Sequence, residues 1–218
     1  MLSHIRVLFI VLIATSFILH GCVSTKIGLV KDDFDSIKRV KIVRSTSPEF
    51  RVHGASNLLA IAPVINLINI PIDNAASNDA KKSALPDIGE LLTKSFASQI
   101  KGAIPSWTEI DIEATPVGMS KLDGYKYENG NLLALKPLAF ELHFSKGLCV
   151  GAHIQMRSNI GKVIFNDLVI YCSGEHGDKK SSDEYLADGG KLLVEGMQIA
   201  TDQLAKDTIK SLRESNPI

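Results

Sequence analysis

Two apolar segments, 148–157 and 163–172, are separated only by Ser158-Asn159-Ile160-Gly161-Lys162. Strand-like runs joined by so short a connection fold back on each other as an antiparallel hairpin about Asn159-Ile160-Gly161. The register stays open. If Asn159 pairs with Lys162 across a two-residue loop, Cys149 and Cys172 face each other. If Ser158 pairs with Lys162 across three residues, the register slips by one and the cysteines point to opposite faces. The apolar stripes Leu148, Val150, Ala152, Ile154, Met156 and Ile164, Leu168, Ile170 fit the slipped register better.

Further strands are expected around this hairpin. Ile37 to Arg44 puts Val40 and Ile42 on one face, Trp107 to Ile112 alternates, and Leu138 to Phe144 alternates before a Lys146-Gly147 turn. Two segments carry helical periodicity. Ile88, Leu91, Leu92, Ser95, Phe96, Gln99, Ile100 and Ala103 recur at three- and four-residue steps. Asp87 and Glu90 suit that helix's start as a capping box, and Gly102 and Pro105 suit its end. Leu186, Leu193, Met197, Ala200 and Leu204 form a second stripe, extended by Ile209 or Leu212, with Ser181 and Glu184 at its N-terminus. Gly189-Gly190 weakens its first turns. The order predicts an α+β domain over 37–215: an antiparallel sheet of about four to six strands with two helices packed on one face.

The 218 residues fit one domain, or two small ones. With 24 basic and 24 acidic side chains the chain is no general polyanion binder, and no nucleic-acid partner is expected. Three cysteines are too few for a miniprotein held by disulfides.

The N-terminus carries the most specific signal. After Arg6, an apolar run extends from Val7 to Leu19, broken only by Thr15 and Ser16. As a helix it spans about 20 Å, short of a bilayer core and suited to a signal peptide over 1–21. The run ends in Leu19-His20-Gly21-Cys22, which resembles a bacterial lipobox. That resemblance implies diacylglyceryl transfer to the Cys22 thiol, cleavage after Gly21 and acylation of the new amino group with a fatty acid such as palmitate. The mature chain would carry one more acid than base, since Arg6 is lost. Each buried CH₂ contributes about 0.8 kcal/mol, so several chains on one cysteine hold the membrane stably where a single chain does not. Val23, rather than aspartate, follows the cysteine. By resemblance to enteric sorting, this implies the outer membrane, facing the periplasm.

Residues 22–36 are polar and read as a lipidated tether. The stretch Leu58 to Ile72, LLAIAPVINLINIPI, is nearly all apolar with Pro63 and Pro71 inside, and cannot comfortably span a bilayer. It is either a buried core element or an exposed loop. In the second case Leu58, Leu59, Ile61, Val64, Ile65, Leu67, Ile68 and Ile70 contact the membrane or a partner.

Little else points to chemistry. An oxidising periplasm favours a Cys149–Cys172 disulfide, and neither cysteine has a histidine placed to make a catalytic thiol. His53, His143, His153 and His176 lack metal-ligand spacing, so no metal is expected. Glu141 and His143 share a strand face, and Glu175, His176 and Asp178 read as a solvated loop. No catalytic residue, phosphate-binding glycine motif or cofactor site is identified. Lys81-Lys82 and Lys179-Lys180 read as solvated pairs.

With its lipobox, its apolar 58–72 segment, its hairpin and a closing helix over Asp183–Leu204, the chain resembles small bacterial envelope lipoproteins. The nearest in kind are the auxiliary lipoproteins of envelope ABC transporters and secretion-associated lipoproteins. The resemblance implies a non-enzymatic accessory or assembly subunit bound to an envelope protein partner through a sheet edge or the 58–72 segment. The alternative is a lipid or glycolipid carrier with an apolar groove between helices and sheet. An enzyme such as a hydrolase is a third class, for which no site is found. The sequence does not set the oligomeric state.

Overall fold

What joins two strands decides how they pair. A tight turn makes neighbours antiparallel, whereas parallel neighbours need a crossover. The computed structural model describes residues 27–29, 31–53, 85–143, 146–178, 180–187 and 190–214. It shows both kinds of pairing. After helix α1 (Lys31–Ser36) come strands β1 (Arg39–Arg44) and β2 (Arg51–His53), helix α2 (Ile88–Ala103), strand β3 (Glu109–Ile112) and helix α3 (Met119–Asp123). Strands β4 (Asn131–His143), β5 (Gly147–Arg157) and β6 (Val163–Cys172) follow, then a 3-10 turn (Ser173–His176) and helices α4 (Ser182–Leu186) and α5 (Lys191–Glu214).

The fold is α+β, but its sheet is mixed, which corrects the expected antiparallel one. The sheet order is β3-β1-β4-β5-β6, with β2 also on β4. β1 runs parallel to β3 and to β4, and β2 runs parallel to β4. Among the described strands, β4–β5 and β5–β6 are the antiparallel pairs. The reason is connectivity: α2 lies between β1 and β3 in the chain, and α3 lies between β3 and β4. β1 and β2 follow one edge of β4 in succession. Pro137, which has no N–H to offer, sits between the stretch of β4 that pairs β1 and the stretch that pairs β2.

The hairpin uses both registers. At the turn, Ser158 N–H donates to the Lys162 carbonyl at 2.8 Å, and Gly161 takes φ 84° in a three-residue loop. A bulge after Met156 then shifts the ladder by one, so Cys149 pairs with Cys172 and the disulfide forms. The same bulge turns Leu168 and Ile170 away from the core, where the sequence stripe placed them. Phe165 and Tyr171 are buried instead.

α2 and α5 pack on one another and on one face of the sheet. α2 covers β1 and β4, and α5 covers β5 and β6. Phe96, Ile100, Met197 and Leu204 are fully buried in this main core. The two helices are also stitched by polar contacts: Ser95 Oγ donates to Asp202 Oδ1 at 2.5 Å and Gln99 Nε2 to the Asp202 carbonyl at 3.0 Å. The closing helix expected over Asp183–Leu204 is in fact two helices. Gly190, at φ 77°, separates α4 from α5. Ser181 and Glu184 do form a reciprocal capping box, on the short α4. Part of the expected tether is built into the fold: Leu29 is buried in the main core.

Asp87 caps α2. Its Oδ1 accepts from Glu90 N–H at 2.9 Å and from Ser47 Oγ at 2.6 Å, and its Oδ2 from Arg44 Nη1 at 3.0 Å. Burial pushes this carboxyl up, but Ser47, the Glu90 amide and Arg44 together hold it below the ordinary value. A depressed carboxyl stabilises above its unfolded pKa, about 3.9, and loses that contribution as pH falls through the folded value. Asp87→Ala should therefore cost about 2 kcal/mol at neutral pH. The gap from wild type in urea unfolding should narrow below about pH 4. A gap that stays constant from pH 7 to pH 3 would refute the assignment.

Candidate functional site

The two faces of the sheet differ. Opposite the main core, the half of the outer face around β1 and the start of β4 is covered by the chain from Val117 to Tyr127. Val43, Leu122, Leu132 and Ala134 form a small second core there, flanked by Val117, Tyr125 and Tyr127. Its cations are tied down. Arg157 Nη1 donates to the carbonyls of Leu122 at 3.1 Å and Asp123 at 2.5 Å, and Lys136 Nζ reaches Asp123 Oδ1 at 2.5 Å. The Lys136 bond, aided by Arg157 and opposed by burial, lowers the Asp123 carboxyl pKa. Lys41 lies 2.9 Å from Glu113 Oε2 and about 6 Å from the ring centres of Tyr125 and Tyr127. Its ammonium is pushed well above the ordinary lysine value, first by the Glu113 bond, against desolvation, with help from Tyr125.

The other half of the outer face, across the end of β4, β5 and β6, has no such cover among the described residues. Alternation places Glu141, His143, Cys149, Gly151, His153, Leu168, Ile170 and Cys172 on it. Leu168 is 49% exposed and Ile170 60%. Gly151 lies between Ala139 and Ile170: a Cβ built on it would stand 3.4 Å from Ala139 Cβ and 3.5 Å from Ile170 Cγ1. Small residues thus make a shallow apolar floor beside the exposed aliphatics. The disulfide, with Cα atoms 4.1 Å apart, bounds one end of this floor. The pair His153 Nε2 and Asn166 Oδ1, 2.6 Å apart, bounds the other.

Two clefts among the described residues lie elsewhere. One cleft of about 560 Å³ sits at the opposite end of the sheet, bordered by Lys38, Arg39, Asn129, Ser158 and Lys162. A second, of about 730 Å³, is bordered by Arg39, Lys101, Trp107, Glu109 and Asp111. Both are rich in charged and polar side chains, unlike the lining an acyl chain needs.

The residues singled out from the sequence fall in different places. Cys149 and Cys172 form the bridge. His143 Nε2 lies 2.9 Å from Glu141 Oε2 on the outer face. His176 stacks on Tyr171 at 4.6 Å. Asp178 accepts from the Tyr185 hydroxyl at 2.5 Å and also pairs with Lys180, so that part of the expected solvated loop is tied into the fold. Burial and Asp178 together raise Tyr185 to about 12. Among the described residues no group of three His, Cys, Asp or Glu side chains is placed to hold a metal. Cys22, the signal segment 1–21, Lys81-Lys82 and the apolar stretch Leu58 to Ile72 lie outside the described residues. Sequence reading missed the exposed pair Leu168 and Ile170 as a surface feature. No local signal marked it, since Asn166 lies on the Leu168–Ile170 parity and the charged Asp167 on the other.

No family model and no curated protein matches the chain. Two of the solved structures with a similar chain trace are distant. A point-variant PelC dodecamer from Paraburkholderia phytofirmans shares 9% identity over 87% of this chain and 95% of that one, with a TM-score of 0.41. The protein XCC0632 of Xanthomonas campestris, assigned to DUF330, shares 11% identity over 86% and 94%, also with a TM-score of 0.41. Likeness at that level says nothing about this chain's activity or assembly.

Proposed function

We propose that the chain is a lipid-anchored lipoprotein of the bacterial envelope, held at Cys22 in the outer membrane and facing the periplasm. In this reading it is a non-enzymatic accessory subunit that presents the outer face of β4–β6 to an envelope partner. The observation that carries the reading is that apolar floor, which no other described residue covers. Leu168 is 49% exposed and Ile170 60%, both on β6, the strand that carries the disulfide. Covering both would contribute about 2–3 kcal/mol, the scale of an interface hot spot. The cross-strand disulfide supports an oxidising compartment, in keeping with export behind a lipobox. The lipid-carrier alternative has no specific support: the apolar stretch that would line its groove lies outside the described residues.

Two measurements test this. Cys22→Ser should abolish the acyl mass increment and release the protein from the membrane pellet. An unchanged mass and unchanged pelleting would end the lipoprotein reading. Affinity purification from detergent-solubilised envelope should recover a protein partner that Ile170→Asp loses without a change in melting temperature. Copurified lipid and no protein would favour the carrier.

A further inference from the structure

We propose that the cleft of about 560 Å³ at the turn end of the sheet binds a phosphate group, carried by a soluble ester or by a phospholipid headgroup, between Lys38 and Lys162.

Three pieces of chain make this cleft: Lys38 and Arg39 at the entry to β1, Asn129 to Asn131 at the entry to β4, and Ser158 to Lys162 in the β5–β6 turn. β4 lies between β1 and β5, so its entry forms the middle wall. Gly130 brings that wall hard against β1: a Cβ there would stand 2.7 Å from the Arg39 carbonyl oxygen, nearer than packed atoms approach. A glycine is what lets the two walls meet.

The lining favours an anion. Among the described residues it holds three cations, Lys38, Arg39 and Lys162, and one acid, Glu128. Arg39 is engaged by Glu109 across the β1–β3 pair. Neither Lys38 nor Lys162 pairs with an acid among the described residues. Two ammonium groups without a counter-charge thus border one cleft, from different walls. Ser158 adds an independent sign. Its main chain is satisfied, since its N–H donates to the Lys162 carbonyl and its carbonyl accepts from Gly161 N–H, each at 2.8 Å. Its Oγ is buried and has no hydrogen-bond partner. A buried polar atom left unpaired is costly, and a ligand atom that pairs with it removes the cost. A phosphate has enough oxygens to accept from both lysines and from the Ser158 hydroxyl at once, whereas the two oxygens of a carboxylate serve fewer walls. The site does not depend on whether the chain is lipidated.

The test is titration of the full chain in detergent with inorganic phosphate, against chloride at equal ionic strength. With the whole chain present, a cleft already filled by the chain itself would show no binding. The Ser158, Asn159 and Lys162 amide resonances should move in phosphate with half-saturation at about 1 mM, the affinity of a few charge-assisted contacts in an open cleft. Lys38→Ala and Lys162→Ala should each weaken binding about tenfold and leave the phosphate-free melting temperature unchanged. Lys191→Ala, which removes the same charge at the start of α5, should bind as the parent does. Ser158→Ala should weaken binding at least about threefold without lowering the phosphate-free melting temperature, because the hydroxyl it removes has no partner there. Equal shifts in phosphate and chloride, equal losses in Lys191→Ala and the cleft variants, or a Ser158→Ala chain that melts lower without phosphate would overturn the site. A last arm separates the sources, using the Cys22→Ser form, which cannot be acylated there. Cosedimentation with phosphatidylglycerol vesicles that Lys38→Ala and Lys162→Ala lose supports a lipid headgroup. Phosphate binding without cosedimentation supports a soluble ester. Cosedimentation without phosphate binding would overturn the site.

Discussion

Phe96→Ala should lower the unfolding free energy by about 3–5 kcal/mol. Phe96 is fully buried on α2, the helix that packs on β1, β4 and α5 together. Removing its ring takes contacts from both helices and the sheet at once. The polar stitching of Ser95 and Gln99 to Asp202 holds α2 against α5, so the helices cannot simply close over the void. A domain of this size has about 5–15 kcal/mol in total, so the variant should be marginal at 37 °C. Phe96→Leu, which keeps most of the volume, should lose about 1 kcal/mol. Urea unfolding measures both. A loss below about 1 kcal/mol for the alanine variant would mean that the core around α2 is not as packed as described.

Removal of the disulfide should have the next largest effect. Cys149 and Cys172 are 23 residues apart in sequence, and a loop of that order gives about 3 kcal/mol. The hairpin is already closed at its turn by Ser158 and Lys162. The bridge locks the far end, where β6 runs into the 3-10 turn. There Leu148 N–H donates to Ser173 Oγ at 3.1 Å and the Tyr185 hydroxyl reaches the same oxygen at 3.0 Å. Those bonds limit the loss without replacing the cross-link. Cys149→Ala with Cys172→Ala should melt about 6–12 °C lower than the oxidised parent. Reductant should bring the parent down to the variant and leave the variant where it is. A parent insensitive to reductant would show that the bridge contributes nothing.

The parts of the fold legible from sequence were those governed by local period and local caps. α2 was readable because Ile88, Leu92, Phe96 and Ile100 keep helical spacing and Asp87 precedes them. The hairpin was readable because its two runs leave little chain between them. The first half of β4 was not. Leu132, Leu133, Ala134 and Leu135 are buried on both faces, main core on one side and the Leu122–Tyr127 cover on the other, so no alternation survives. Parallel pairing was equally hidden, because β1 meets β4 only through contacts remote in sequence, such as Ile42 with Leu133. The exposed floor was misassigned for one physical reason: the single bulge after Met156 reverses which parity of β6 faces inward. The disulfide was legible only as one of two registers, and the bulge reconciles them.

That bulge has a consequence for how the hairpin tolerates change. It acts as a vernier between two ends with different demands, a glycine-bearing turn at one and a covalent staple at the other. Because one surplus residue absorbs the mismatch, the length of the turn and the alignment of the cysteines are decoupled. The turn can drift in composition while the staple keeps its partner.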